Sequence, residues 1–137
     1  MNQYPEICLR GLRKREDVMT PQNVVNTTAF IPDFRIPRTD GGYETSINWK
    51  DDEFAISFTM QRRNQSQYGL AALERVVLDE ERDRVSIPKT VEYERKPDLA
   101  DPENKYHGNI VFIGTKKYIN MIAAALALKS KFIPRED

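Results

Sequence analysis

The chain has 137 residues, 39% of them hydrophobic and 31% charged, with 21 basic and 21 acidic side chains and a formal net charge of zero. That length suits one domain over residues 1–137, and neutrality argues against a generic nucleic-acid binder, which carries a basic surplus. A single cysteine, Cys8, and a single histidine, His107, exclude an intramolecular disulfide, a cysteine zinc cluster and a histidine-rich metal site, so no cofactor is expected.

Met1 to Glu6 carry neither the basic nor the apolar stretch of a secretory signal, and the longest apolar run, Met121 to Leu128, is too short to cross a bilayer. A cytoplasmic protein with no membrane role is the expectation. Ile7-Cys8-Leu9, bounded by Pro5 and Gly11, predicts a short strand over residues 6–12. The charged stretch Arg13 to Asp17 reads as a turn or short helix. Thr20-Pro21 has the form of a helix start, but Val24, Val25, Thr27 and Thr28 favour a strand around residues 24–31. Pro32 to Gly42 is a loop that ends in the turn signal Asp40-Gly41-Gly42.

Tyr43, Thr45, Ile47 and Trp49 alternate with Glu44, Ser46, Asn48 and Lys50, the period-two pattern of a half-buried strand. Phe54, Ile56, Phe58 and Met60 alternate in the same way and predict a second strand, spaced to form a hairpin with the first. Arg62 to Gln67 is a polar loop. Leu70, Leu73, Val76 and Val77 fit one face of a helix; a strand over residues 70–75 followed by a short helix is the competing reading. Val85, Ile87, Val91 and Tyr93 read as a strand interrupted at Pro88, hence at an edge or a bulge. Lys96 to Lys105 is a polar loop, and Asn109 to Ile113 is a central strand. Lys116 to Lys131 is the clearest helix, capped by Thr115 and stopped by Pro134, with an apolar face of Tyr118, Met121, Ile122, Ala125, Leu126 and Leu128. The sum is an α+β fold: a five- to six-stranded, mostly antiparallel sheet with the C-terminal helix packed on one face.

His107 is the one side chain whose unperturbed pKa lies near neutrality. It precedes a predicted central strand and adjoins Gly108, which lets a ligand or another backbone come close. Asn104 and Tyr106 add hydrogen-bonding groups beside it. An acid–base role for His107 competes with a role in ordering the turn into the strand, and the second is favoured. Arg10, at the end of the first strand, offers a planar guanidinium suited to phosphate. Ser46 shares the polar side of its strand with Asn48 and is the candidate hydroxyl. Arg62 and Arg63, with Tyr68 as a stacking platform, have the residue types of a nucleic-acid contact, against which the neutral net charge weighs. Cys8, in an apolar strand, reads as a buried and inert thiol. The chain has no phosphate-loop, dinucleotide-binding, nucleophile-elbow or His-Glu-x-x-His motif.

Thr28-Ala29-Phe30, Ser46-Ile47-Asn48-Trp49 and Asn104-x-x-His107-Gly108 together resemble segments of small uncharacterised bacterial proteins, a resemblance that implies no activity. Arg10-Gly11, Thr45-Ser46 and the downstream Glu74 resemble the arginine–serine–glutamate order of ADP-ribosyltransferase-like folds. That resemblance implies NAD held in a cleft between sheets, with Arg10 on a phosphate. The expectation that follows from the residues is a small cytoplasmic accessory protein of bacterial or phage type. It would be a non-enzymatic interaction module that meets a protein partner through residues 62–68 and 98–108. The alternative is an enzyme or ligand-binding protein acting on a phosphate-bearing ligand, NAD or RNA, with Arg10 binding charge and His107 donating. The alternative requires Arg10, Ser46 and His107 to converge in one concave pocket.

Overall fold

Along the chain come β1 (Ile7–Gly11), the short strands β2 (Val18–Met19) and β3 (Val24–Val25), a 3-10 turn (Thr27–Ala29), β4 (Tyr43–Trp49), α1 (Phe54–Met60), β5 (Gly69–Glu74), α2 (Arg75–Arg84), β6 (Thr90–Arg95), β7 (His107–Ile113), α3 (Lys116–Lys129) and β8 (Lys131–Pro134). This is a computed structural model that describes residues 4–12, 17–19, 24–61, 69–84, 89–100 and 103–135. Six strands form one antiparallel sheet in the order β6-β7-β4-β1-β5-β8, and β2 pairs with β3 apart from it. The fold is α+β, with α3 against the sheet. Among the described residues no helix is long and apolar enough to cross a membrane.

Strand alternation divides the side chains between two faces. Cys8, Ile47, Trp49, Ala71, Leu73, Val91, Ile110 and Phe112 turn to the α3 side. There they meet Ile119, Ile122, Ala123 and Leu126 of the helix and Phe30 below the 3-10 turn, all buried. Trp49 is fully buried, with Tyr4 at 5.1 Å and Tyr93 at 5.5 Å between ring centres, and its indole N–H donates to the Glu94 carbonyl at 3.1 Å. The smaller opposite cluster gathers Leu9, Leu70, Tyr106 and, from α1, Ala55.

The segment from Phe54 to Met60 is a helix, not the strand its alternation predicts. Its most buried positions are Ala55 and Thr59, one helical turn apart, which a period-two reading assigns to the polar side. Phe54, an anchor of that pattern, points into solvent. The Asp52 carboxylate accepts from the Phe54 N–H at 3.0 Å and starts the turn. Residues 24–31 form only the two-residue β3 and a 3-10 turn, which Asn26 caps by accepting from Thr27 N–H. Leu70 to Leu73 adopt the strand alternative, because β5 is hydrogen-bonded on both sides, to β1 and to β8; the helix begins only at Arg75. The expected interruption at Val85 to Pro88, the charged turn at residues 13–16 and the helix start at Thr20-Pro21 lie outside the described residues. Ahead of the expected stop at Pro134 the chain forms the edge strand β8, where proline needs no ladder hydrogen bond on its outer side. Helix α3 starts as predicted, with the Thr115 hydroxyl accepting from Tyr118 N–H at 3.2 Å.

Candidate functional site

On the face away from α3, register sets the neighbours. Asn48 lies opposite His107, and Ser46 lies opposite Asn109. Directly opposed residues share a face, so Ser46, Asn48, His107 and Asn109 form one polar quartet across β4 and β7.

The His107 ring turns to the backbone of its own loop. Its Nδ1 lies 2.8 Å from the Lys96 carbonyl oxygen, and the Lys96 N–H donates to the His107 carbonyl at 2.9 Å. A carbonyl only accepts, so Nδ1 carries a proton and donates. Ring and backbone together clamp Lys96, where the chain leaves β6.

Asn104 completes the loop between β6 and β7. Its backbone exchanges two hydrogen bonds with Asp98, at 2.7 and 2.9 Å. Its side-chain N–H donates to Asn48 Oδ1 at 2.8 Å, and its Oδ1 accepts from Tyr106 N–H at 3.0 Å. Asn48 in turn donates to the Thr59 hydroxyl at 2.8 Å, and Thr59 donates to the Ala55 carbonyl at 2.7 Å. Loop, sheet and α1 are thus joined by one line of buried donors and acceptors, none of which titrates near neutral pH.

Tyr106 anchors the same loop from its other end. Its hydroxyl donates to Asp52 Oδ1 at 2.9 Å, and its ring packs edge-on against Phe58 with 5.3 Å between centres. Burial, and then the Asp52 carboxylate, push the phenol pKa up. Lys105 Nζ sits 5.2 Å from the same ring and 3.9 Å from Asp52.

Asn109 differs from its neighbours. It is buried, and neither atom of its amide has a hydrogen-bond partner among the described residues. Farther along this face Arg38 joins Glu44 and Glu94, each at 2.7 Å, across the strands that flank β7. Another buried polar spot lies between α2 and α3. There Glu81 Oε1 is held by Arg84 and, at 3.4 Å, by Lys129, while Glu81 Oε2 and the Tyr118 hydroxyl have no hydrogen-bond partner among the described residues. Burial, and then the Glu81 charge, push the Tyr118 phenol pKa up.

Arg10 belongs to the other face. It shares β1 with Cys8, which lies opposite Trp49, and two residues along it points the same way. Its guanidinium donates to the Ala29 carbonyl and to the Ser46 carbonyl, each at 2.8 Å. Pairing of β1 with β4 ends at Leu9 and Asn48, so the guanidinium takes up a carbonyl of β4 beyond that point. Arg10 and Ser46 are therefore brought together, but through the Ser46 backbone; the exposed Ser46 side chain faces away. Glu74 is exposed at the end of β5, opposite Ile7. It stands two strands and two pleats from Ser46, roughly 16 Å at standard spacings. Arg10, Ser46, Glu74 and His107 do not gather at one point. Arg62 and Arg63 lie outside the described residues.

The close approach that Gly108 permits is to the protein itself. A Cβ there would collide with the Glu94 carbonyl and the Trp49 indole. Cys8 is buried, and desolvation pushes its thiol pKa from 9.0 to about 12. Among the described residues no three His, Cys, Asp or Glu side chains gather as a metal site requires. Thr59 and Asp52, which complete the loop's anchorage, were not candidates from the sequence. Their signal depends on residues 54–60 being helical. No protein-family model matches the chain, and no curated protein or solved structure is significantly similar to it.

Proposed function

We propose that the protein is a non-enzymatic interaction module that presents the loop between β6 and β7 to a partner protein. The observation that carries this reading is the anchorage of that loop. The reciprocal Asp98–Asn104 bonds, the Asn48–Asn104 bond, the Tyr106–Asp52 bond and the His107 clamp on Lys96 tie its described residues at both ends to each other and to the sheet. Within the segment they close, Leu99 stands 77% exposed. An apolar side chain held next to anchored loop ends costs less ordering entropy on binding than one on a loop with free ends. His107 and Asn104 then serve function by positioning. The buried, unreactive thiol of Cys8 agrees with an accessory role in the reducing cytoplasm.

The alternative, a phosphate-bearing ligand such as NAD or RNA, draws no support from Arg10, whose guanidinium engages two backbone carbonyls on the far side of the sheet. The test is affinity purification of the tagged chain from the cells that express it, wild type beside Leu99→Asp and Asn104→Ala. A stoichiometric protein partner lost at least about tenfold with Leu99→Asp, and weakened with Asn104→Ala, is the expected result. A thermal shift with NAD, nucleotides or short RNA that disappears in His107→Ala, with no protein partner recovered, overturns the reading.

A further inference from the structure

Asn109 lies in the middle of the sheet with an amide that nothing completes. It is 1% exposed, and among the described residues neither its oxygen nor its nitrogen has a hydrogen-bond partner. Leaving such a group unpaired is costly, so a group from outside that pairs with it gains on binding. Register sets Asn109 on the face away from α3, between Ser46 of β4 and Glu94 of β6. Ser46 is exposed, so the buried amide borders solvent on that side.

A guanidinium already lies beside it. Arg38 Nη1 is 2.7 Å from both Glu44 Oε2 and Glu94 Oε1. Those two residues stand opposite Val111 and Asn109, on the strands either side of β7, roughly 10 Å apart at standard spacing. Their carboxylates therefore lean in over β7, and Arg38 spans the strand above Asn109 and Val111. Val111 is buried yet lies in neither apolar cluster, which fits a side chain covered by that bridge. Arg38 is an imperfect occupant. One nitrogen serves two carboxylates, each through a single oxygen, where a guanidinium free to turn grips a carboxylate by two. Asp40, 3.2 Å from Nε, makes three carboxylates around one cation, whereas Glu92, opposite Val111, is engaged by Arg82 at 3.6 Å. The bridge is half-buried, and ion pairs with that access to water are weak.

We propose that Arg38 is a tethered stand-in for an arginine side chain of a protein partner. The incoming guanidinium takes Glu44 and Glu94 and donates to Ser46 Oγ and Asn109 Oδ1, which Arg38 leaves unused. A planar cation with five N–H donors suits these four acceptors better than an ammonium does. Arg38 is then an intramolecular competitor that the partner displaces.

The probes are acetyl-Gly-Arg-Gly-amide and its lysine counterpart, titrated into the full chain. Binding is read by NMR from the Asn109 side-chain amide and the Ser46 and Glu94 backbone amides. Arg38→Ala is expected to tighten the arginine peptide about fivefold or more, because a tethered competitor is removed. Arg38→Met, which keeps apolar cover over Val111, is expected to do the same. In both, the lysine peptide binds at least about fivefold more weakly. Adding Asn109→Val to Arg38→Ala weakens the arginine peptide about fivefold while raising the thermal midpoint, since an apolar group replaces an unpaired amide. Glu44→Gln with Glu94→Gln abolishes binding, and Leu99→Asp leaves it as it was. No binding to Arg38→Ala up to about 10 mM, equal binding of the two peptides, weaker binding in both Arg38 variants than in the wild type, or binding untouched by Asn109→Val overturns the proposal. So does loss of the folded state in both Arg38 variants, which makes Arg38 part of the scaffold. Recovery of a Leu99-dependent partner alongside any of these failures leaves the loop reading standing without this one.

Discussion

Trp49 and Asn48 are neighbours in β4, and they show how differently the two faces of the sheet close. Trp49 turns to α3, where its surroundings are aromatic and aliphatic and its single polar atom reaches a backbone carbonyl. Asn48 turns to α1, where both ends of its amide are used by side chains, Thr59 and Asn104, from segments distant in sequence. Burial on the first side is non-directional and tolerates many arrangements of similar volume. Amide hydrogen bonds on the second are directional, and a mismatch leaves buried polar atoms orphaned. The α3 side therefore supplies most of the cohesion, while the α1 side specifies where one loop stands.

Four measurements sharpen or break that contrast. The largest loss falls on Trp49→Ala, which empties the aromatic cluster and should cost about 3–5 kcal/mol in denaturant unfolding. A loss under about 1 kcal/mol would mean that the α3 side is not the principal core.

Next comes alkali. Cys8 has a folded-state pKa raised from 9.0 to about 12, so the thiol's contribution is complete below pH 9 and fades as pH climbs toward 12, worth up to about 4 kcal/mol. The raised phenol pKa values of Tyr106 and Tyr118 act in the same direction above their ordinary value of 10.0. Urea titrations from pH 8 to 11 should show falling stability, with a shallower fall in Cys8→Ala. At neutral pH a thiol reagent should modify the native chain only on unfolding.

Asn104→Ala strands Asn48 Oδ1 and the Tyr106 N–H and should cost about 1–3 kcal/mol. A cycle with Asn48→Ala should give a coupling of about 1 kcal/mol, and amide exchange at Tyr106 should accelerate in the single variant. Additive losses would dissolve the network into separate contacts. Smallest is His107→Ala, about 1 kcal/mol for one clamp. His107→Asn, whose amide N–H stands near the place of Nδ1, should recover most of it. A His107→Asn variant no better than His107→Ala would detach the ring from the role given to its hydrogen bond with Lys96.

The local signals that survived were those with long periodicity or a steric origin. The alternation of Tyr43 to Trp49 came through, as did the helix starting at Lys116 and its cap at Thr115, but of the expected apolar face only Tyr118, Ile122 and Leu126 are buried; Met121 and Leu128 stand in solvent, and Ile119, Ala123 and Ala127 face the core instead. At Asp40-Gly41-Gly42, Gly41 has a φ of 86° and the Asp40 carboxylate accepts from Gly42 N–H. Residues 54–60 misled because Phe, Ile, Phe and Met at every second position fit a strand as readily as a short helix whose buried positions are the residues between. For residues 70–74 the competing strand reading holds: leucines and alanines favour helix locally, and only pairing with β1 and β8 overrides that preference, while Val76 and Val77 are helical as expected.

Of the candidate site, the polar character of Ser46, Asn48, Asn104 and His107 was legible; their grouping was not. Which face Arg10 takes depends on its register against β4 and β5, and a shift by one residue would have turned it to the other side. Likewise, nothing local marks Thr59 as the partner of Asn48, eleven residues away in a different kind of element.

By itself, then, the sequence determined the class of fold, the strands β1, β4, β6 and β7 and the terminal helix, the absence of cysteine or histidine clusters, and the place of the single imidazole at the mouth of a strand. Those follow from periodicity, composition and backbone sterics, which act over a few residues. Tertiary structure alone decided that the imidazole closes its own loop, that Arg10 serves the opposite face, and that α3 keeps an apolar seam in solvent. Each of these depends on which strands pair and in what register, a choice made by the free energy of the whole sheet and by no single segment of it.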